Sequence, residues 1–320
     1  MKNIFCILIS LGINVLHAQQ PAQYSLYFLN PTAFNPAAAG TENSLIFTGG
    51  FRQQWSGLDG APQTQVMTVH LPIYYLHSGA GLKIENDILG ARRMTQVQLQ
   101  WSVGQKMAGG VLSVGVGAGL AQMAIDFTKL RTPDGEYGTS FNHNDNTLNV
   151  PPLTATAPIL EAGLYFKHDN LNLGIGATQL TESKFRFQEA KITNWQGKRS
   201  LFAHFSTGIK LFGNVKCFPS VLIKSDLTQH QADFTLYGQY DENILLGASY
   251  RGYSVQTTDA VVFFAGFKLS PQWRLNYAYD WTLSPLRTVQ TGSHEILLQY
   301  NYGQSIGKGK LPPIIYHPRF

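Results

Sequence analysis

A chain of 320 residues with 13% charged and 44% hydrophobic side chains carries little charge for a soluble domain, where roughly 25% is usual. The mean hydropathy of −0.10 shows the apolar residues dispersed, and no later stretch approaches the 18 or so consecutive apolar residues that a membrane-spanning helix requires. The net charge of +5 comes from scattered residues with no basic tract, so nucleic acid is not an implied partner.

Residues 1–18 read as a signal peptide. Lys2 supplies the positive start, Ile4 to Leu16 the apolar stretch, and His17-Ala18 before Gln19-Gln20 a cleavage site. Cys6 lies inside this leader, which leaves Cys217 alone in the mature chain and excludes an internal disulfide framework. The apolar neighbours Val215, Phe218 and Val221 predict a buried, inert thiol. Residues 19–43 follow with two Asn-Pro steps, Asn30-Pro31 and Asn35-Pro36, and then Gly40. Such a rigid, turn-rich segment has three readings: a strap across the periplasmic mouth of a barrel, a plug in its lumen, or a plain extended lead-in.

From Ser44 to Gly303 the dominant signal is period-two alternation. In Thr95-Gln-Val-Gln-Leu-Gln-Trp-Ser-Val103, Val97, Leu99, Trp101 and Val103 share one face while Gln96, Gln98, Gln100 and Ser102 share the other. The pattern predicts fourteen strands, starting near Ser44, Gln63, Gly79, Arg93, Val111, Ala155, Leu171, Arg199, Val215, Gln231, Asn243, Asp259, Gln272 and His294. Connections after even-numbered strands are mostly tight, as at Met107 to Gly110, His168 to Asn170 and Ser270-Pro271. Those after odd-numbered strands are generally longer: Trp55 to Ala61, Asp126 to Thr154, Thr181 to Lys198, Ser254 to Thr258 and Thr282 to Ser293. Short turns on one rim, long loops on the other and an even strand count predict an all-β, transmembrane outer-membrane antiparallel barrel.

Two strands depart from simple alternation. Val261 to Phe264 are four consecutive apolar residues, so that strand faces a packed interior or plug. In Leu112-Ser-Val-Gly-Val-Gly-Ala-Gly-Leu120 the inward side is small throughout, which leaves room for something against the wall. It is no dinucleotide loop, because the alternation runs straight through without a turn and helix. Inward ionisable residues are Arg52, Lys83, Glu85, Glu161, Lys167, Lys210, Arg251, Lys268, Arg274, Asp280 and Glu295. Their mixed signs read as charge pairs bracing the wall.

Chemistry leaves no signature. The histidines are dispersed without zinc-ligand spacing, and His70 and His77 read as rim residues beside a proline turn. Asn142 to Asn146 is acidic and amide-rich enough to suggest weak calcium binding, but it lacks the second carboxylates and terminal Glu of an EF-hand loop and reads as a solvated loop. No nucleophile elbow occurs. No catalytic residue, cofactor or metal site is predicted.

Four segments go beyond generic barrel chemistry. They are Tyr24 to Gly40 with its Asn-Pro steps, the hairpin Phe51-Arg52-Gln-Gln-Trp55-Ser-Gly57-Leu-Asp-Gly60-Ala-Pro62, the strand Gly79 to Gly90 with Asn86 and Asp87, and Gly292-Ser-His294-Glu295-Ile296. Together they resemble the PorP/SprF family of outer-membrane proteins of the Bacteroidetes type IX secretion and gliding machinery, over essentially the whole mature chain. Ala37-Ala38-Ala39 departs from it, since members more often carry an aromatic residue there. The resemblance implies a non-enzymatic barrel that binds a secreted, adhesin-type cargo with a C-terminal sorting domain, or the periplasmic ring, and supports export or surface retention. Candidate contact residues are then Asn30, Pro31, Asn35, Pro36, Gly40, Arg52, Trp55, Gly57, Gly60, Pro62, Asn86, Asp87, Gly90, His294 and Glu295. Residues 44–303 would form the barrel, within outer-membrane lipid, and residues 304–320 a basic periplasmic tail. The alternative function is a diffusion channel or hydrophobic-solute transporter.

Overall fold

A computed structural model describes residues 21–42, 44–137, 141–144, 151–187, 195–252 and 258–303. The expected signal peptide, the tail from 304, and Asp145 and Asn146 of the amide-rich loop lie outside the described residues. The first seven wall strands are β1 (Ile46–Gln53), β2 (Gln63–Ile73), β3 (Ser78–Leu89), β4 (Arg92–Met107), β5 (Gly110–Ile125), β6 (Leu153–His168) and β7 (Leu171–Thr178). The remaining seven are β8 (Ser200–Thr207), β9 (Val215–Ser225), β10 (His230–Tyr240), β11 (Ile244–Arg251), β12 (Ala260–Lys268), β13 (Trp273–Thr282) and β14 (Ser293–Asn301). Each strand pairs antiparallel with the next. β1 pairs with β14 from Ile46↔Asn301 to Gln53↔His294, which closes the sheet and removes its edges. These are the fourteen strands that the alternation predicts.

The two faces sort as the period requires. Leu99 and Val103 on β4 are 69% and 52% exposed, while Gln98 and Gln100 between them are 1% and 3%. An apolar outer face meets lipid without leaving backbone groups unpaired. Loop lengths follow the predicted asymmetry with two exceptions: only Gly90-Ala91 joins β3 to β4, and Asp226 to Gln229 join β9 to β10. In the second of these turns, burial works against ionisation of Asp226. Backbone N–H groups of Gln229 (2.6 Å) and Thr228 (2.9 Å) outweigh it and hold the carboxyl below the usual aspartate range.

The lumen is occupied by the chain's own residues 21–42. The segment makes three short 3-10 turns, Tyr27–Leu29, Pro31–Ala33 and Pro36–Ala38. Pro31 and Pro36 each begin a turn, where a missing N–H and a fixed φ carry no penalty. Pro21 and Ala22 border the same vestibule as Trp55 and Leu286 on the long-loop rim, and Gly40 and Thr41 border one shared with Tyr74 and His77 on the short-turn rim. The segment therefore runs the length of the lumen.

Apolar packing holds its middle. Leu26, Tyr27, Phe28, Ala33 and Phe34 form one cluster with Phe202, Leu222, Leu245, Val262, Phe264, Ala278 and Leu297 of β8 to β14. Phe28 stacks on Tyr237 (ring centroids 4.4 Å apart) and meets Phe264 (5.2 Å), and Phe34 stacks on Phe202 (5.5 Å). This accounts for the unbroken run Val261 to Phe264: Val262 and Phe264 face the segment and Phe263 faces lipid. Across the lumen the wall is small for the same reason. A Cβ on Gly115 would strike the Ala37 backbone, and one on Gly163 the Asn35 side chain. Ala37, Ala38 and Ala39 are almost fully buried here, so the departure to alanine accompanies a tight seat.

Candidate functional site

The grip on the luminal segment is tightest at Ser25 and Leu26, where residues from β1, β10, β11, β13 and β14 converge. Arg52 donates to Asp280 Oδ2 (2.6 Å), Glu295 Oε2 (3.1 Å) and Ser25 Oγ (2.9 Å). Arg251 donates to Asp280 Oδ2 (2.6 Å), Asp233 Oδ1 (2.8 Å) and Ser25 Oγ (2.9 Å). The Ser25 hydroxyl in turn donates to Asp280 Oδ1 (2.7 Å). Glu295 accepts the backbone N–H groups of Ser25 (2.6 Å) and Leu26 (3.1 Å). Every charged member is at most 2% exposed. Buried charge persists only when paired and hydrogen-bonded, and here the luminal backbone completes the pairing.

The rest of the segment is held group by group. Tyr24 donates to Glu85, and Gln96 donates to the same carboxylate from β4 (2.6 Å). Asn30 Oδ1 accepts from Thr68 (2.9 Å). Lys83 bridges the Ala33 carbonyl (3.0 Å) and Glu161 (2.7 Å). Gln100, from the alternating run of β4, donates to the Thr32 carbonyl (2.9 Å), and Ser102 to that of Ala39 (2.7 Å). Asn35 caps the third turn by accepting the Ala37 N–H (3.0 Å) and donates to the Leu164 carbonyl on β6 (2.9 Å). The polar inner face of the wall is thus a set of backbone partners for the segment.

Of the other candidates, Gly40 lies at the short-turn rim, while Trp55, Gly57, Gly60, Pro62, Asn86, Asp87, Gly90 and His294 gather towards the long-loop rim and do not meet the luminal cluster. Trp55 takes a left-handed backbone (φ 45°), as do Gly57 (93°) and Gly60 (72°). The Trp55 N–H donates to Ser293 Oγ (3.1 Å), Ser56 N–H to the Gly292 carbonyl (2.8 Å), and Gly90 N–H to the Gly60 carbonyl (2.9 Å). Pro62 accepts from the Gln54 N–H (2.9 Å). First hairpin, β3–β4 turn and last loop are stitched together. Leu58, Leu89, Leu286 and Val289 stand exposed on this rim. Asp87 faces inward and pairs with Arg92 (3.0 Å) and Thr64 (2.8 Å), whereas Asn86 faces outward and accepts from Arg93 (2.7 Å). His294 and Glu295 are likewise divided. His294 sits on the outer face with Tyr277 Oη at 2.7 Å.

Three expectations are corrected. His70 is lumen-facing and 6% exposed, accepting the Gly40 N–H at Nδ1 (3.3 Å), because it shares its side of β2 with Thr64 and Thr68; only His77 sits at the rim turn. Cys217 is half-buried on the outward side of β9, since the inward parity belongs to Ser220 and Leu222. Lys210 is exposed, because β8 is interrupted at Gly208 before it pairs again through Ile209. Sequence reasoning also missed Ser25 and Asp233. Asp233 carried a usable signal, as it shares parity with Thr235 on β10; Ser25 acts partly through its backbone and carried none.

The model for the family "Type IX secretion system membrane protein PorP/SprF" matches residues 16–300. The chain belongs to that family. PorP/SprF membership and the closed fourteen-stranded wall together make it an outer-membrane component of type IX secretion. No curated relative matches the chain. Among solved structures, the Acinetobacter baumannii outer membrane protein Omp33 is similar at 7% identity, covering 82% of this chain and 100% of its own (TM-score 0.48). The Pseudomonas putida toluene transporter TodX is similar at 11% identity, covering 85% and 94% (TM-score 0.47). The translocator domain of the Neisseria meningitidis autotransporter NalP follows at 11%, covering 81% and 88% (TM-score 0.40). At these scores the likenesses carry no argument about what this PorP/SprF protein does.

Proposed function

We propose that this protein is a plugged, non-enzymatic docking barrel of the type IX machinery. In this reading its long-loop rim binds a secreted protein with a C-terminal sorting domain and supports that protein's export or retention at the cell surface. The observation that carries the reading is the filled lumen. A segment seated on a buried ionic cluster and an aromatic stack leaves the wall's rims as the surfaces for work. The stitched rim with its exposed Leu58, Leu286 and Val289 suits a protein partner, because apolar groups held on a rigid frame lose little entropy on binding.

Two measurements test it. Purified protein in planar bilayers gives no steady ohmic conductance; a stable open channel would return the function to the transporter alternative. Pull-down from cells recovers a large secreted protein, and replacing residues 55–61 with a neutral linker abolishes that recovery. Unchanged recovery would remove the first hairpin from the interface.

A further inference from the structure

At the short-turn rim, between the end of the luminal segment and β3, β4 and β5, lies a cavity of about 470 Å³, within the range that accommodates a small ligand. Its floor is cut back to Gly40, Gly79, Gly104 and Ser102. Its apolar side is Tyr74, Leu76, Val103 and Val111. Val103 and Leu76 are 52% and 47% exposed and belong to the outward surface, whereas Ser102 and Lys167 face the lumen. The cavity is therefore bounded by residues from both faces of the wall at the short-turn rim.

Two polar features call for a ligand. Lys106 and Lys167 both line the cavity. Glu42 lies 2.7 Å from Lys167 Nζ and neutralises it, while Lys106 makes no ion pair among the described residues. Ser78 also lines the cavity; it is 8% exposed and its hydroxyl has no hydrogen-bond partner among the described residues. A buried hydroxyl is ordinarily satisfied, so a donor or acceptor is missing from this place.

We propose that the cavity binds an anionic phospholipid of the adjoining leaflet. The head phosphate meets Lys106, a polar atom of the head region meets the Ser78 hydroxyl, and an acyl chain lies along Tyr74, Leu76 and Val103. A free fatty acid shares this chemistry, an anion on an alkyl chain, but the cavity's boundary with the outward surface favours a molecule already anchored in the leaflet.

The test is native mass spectrometry of full-length protein released from nanodiscs of phosphatidylcholine containing a minority of phosphatidylglycerol. Wild type retains phosphatidylglycerol in preference to phosphatidylcholine, and Lys106→Gln lowers that adduct about fivefold, the effect of one lysine near an anionic surface. Lys216→Gln, on β9 at the same rim, leaves it unchanged. Ser113→Leu, which fills the cavity, also removes it; heat-modifiable gel mobility reports whether each variant is folded. Equal retention of the two lipids, or an adduct unaffected by Lys106→Gln, overturns the proposal. Complete displacement by excess dodecanoate would do so too, since it would make the ligand a free fatty acid.

Discussion

Glu295 on the closing strand receives the backbone N–H groups of both Ser25 and Leu26, at 2.6 and 3.1 Å. The contact joins residues 270 positions apart in the case of Ser25. Its neighbour Arg52 lies on β1, the strand that pairs with β14 to close the barrel. The same residues that close the wall also seat the luminal segment at this point.

Removing the Glu295 carboxylate should therefore cost both. Glu295→Ala leaves Arg52 short of a partner and two buried N–H groups without an acceptor, an expected loss of about 3–5 kcal/mol. Glu295→Gln keeps an acceptor oxygen and should lose less. The urea midpoints of the two variants in detergent check the order.

The aromatic stack predicts a separate effect on permeability. Phe28 and Phe34 are each 3% exposed, and replacing either by alanine should destabilise the seated segment by about 3–5 kcal/mol. The double variant should show intermittent conductance in planar bilayers where wild type shows none. A silent double variant would mean that the ionic cluster alone keeps the lumen closed.

Gly115→Val and Gly49→Val make a matched pair. The first drives a side chain into the Ala37 backbone, while a Cβ at Gly49 meets nothing within 4 Å. Overpacking costs about 1–3 kcal/mol, so Gly115→Val should raise proteolysis within residues 21–42 and Gly49→Val should not. Fragment mapping by mass spectrometry reads the difference.

Asp226 supplies a pH test outside the membrane. Its folded pKa lies below the ordinary aspartate value, so the folded state binds the proton less readily than the unfolded one. The stabilisation is complete above the ordinary aspartate pKa and declines as pH falls through the lowered folded value. Asp226→Asn should be less stable than wild type at neutral pH, and the gap should narrow in acid. A constant gap in urea titrations across that range would assign the effect to something other than the charge.

Much of the wall was legible because alternation is a local property of extended backbone. Val97, Leu99 and Trp101 declare a lipid face without reference to any other strand, and fourteen such runs with sorted loops imply closure. Even Val261 to Phe264 and the glycines from Gly115 onward disclosed that something lay inside. Errors at His70 and Cys217 arose where proximity to a proline turn, or apolar neighbours, was weighed above strand parity.

The sequence by itself determined the barrel, its two faces and the inward charges Arg52, Arg251, Asp280 and Glu295. Only the tertiary structure decided what those charges hold. The Asn-Pro segment was open among strap, plug and lead-in, because its partners lie on strands up to 270 residues away. Many of the groups it offers them are backbone N–H and C=O, which every residue carries and no sequence pattern marks. The alternating glutamines of β4 named a polar wall; closing the barrel placed the Thr32 carbonyl within reach of Gln100.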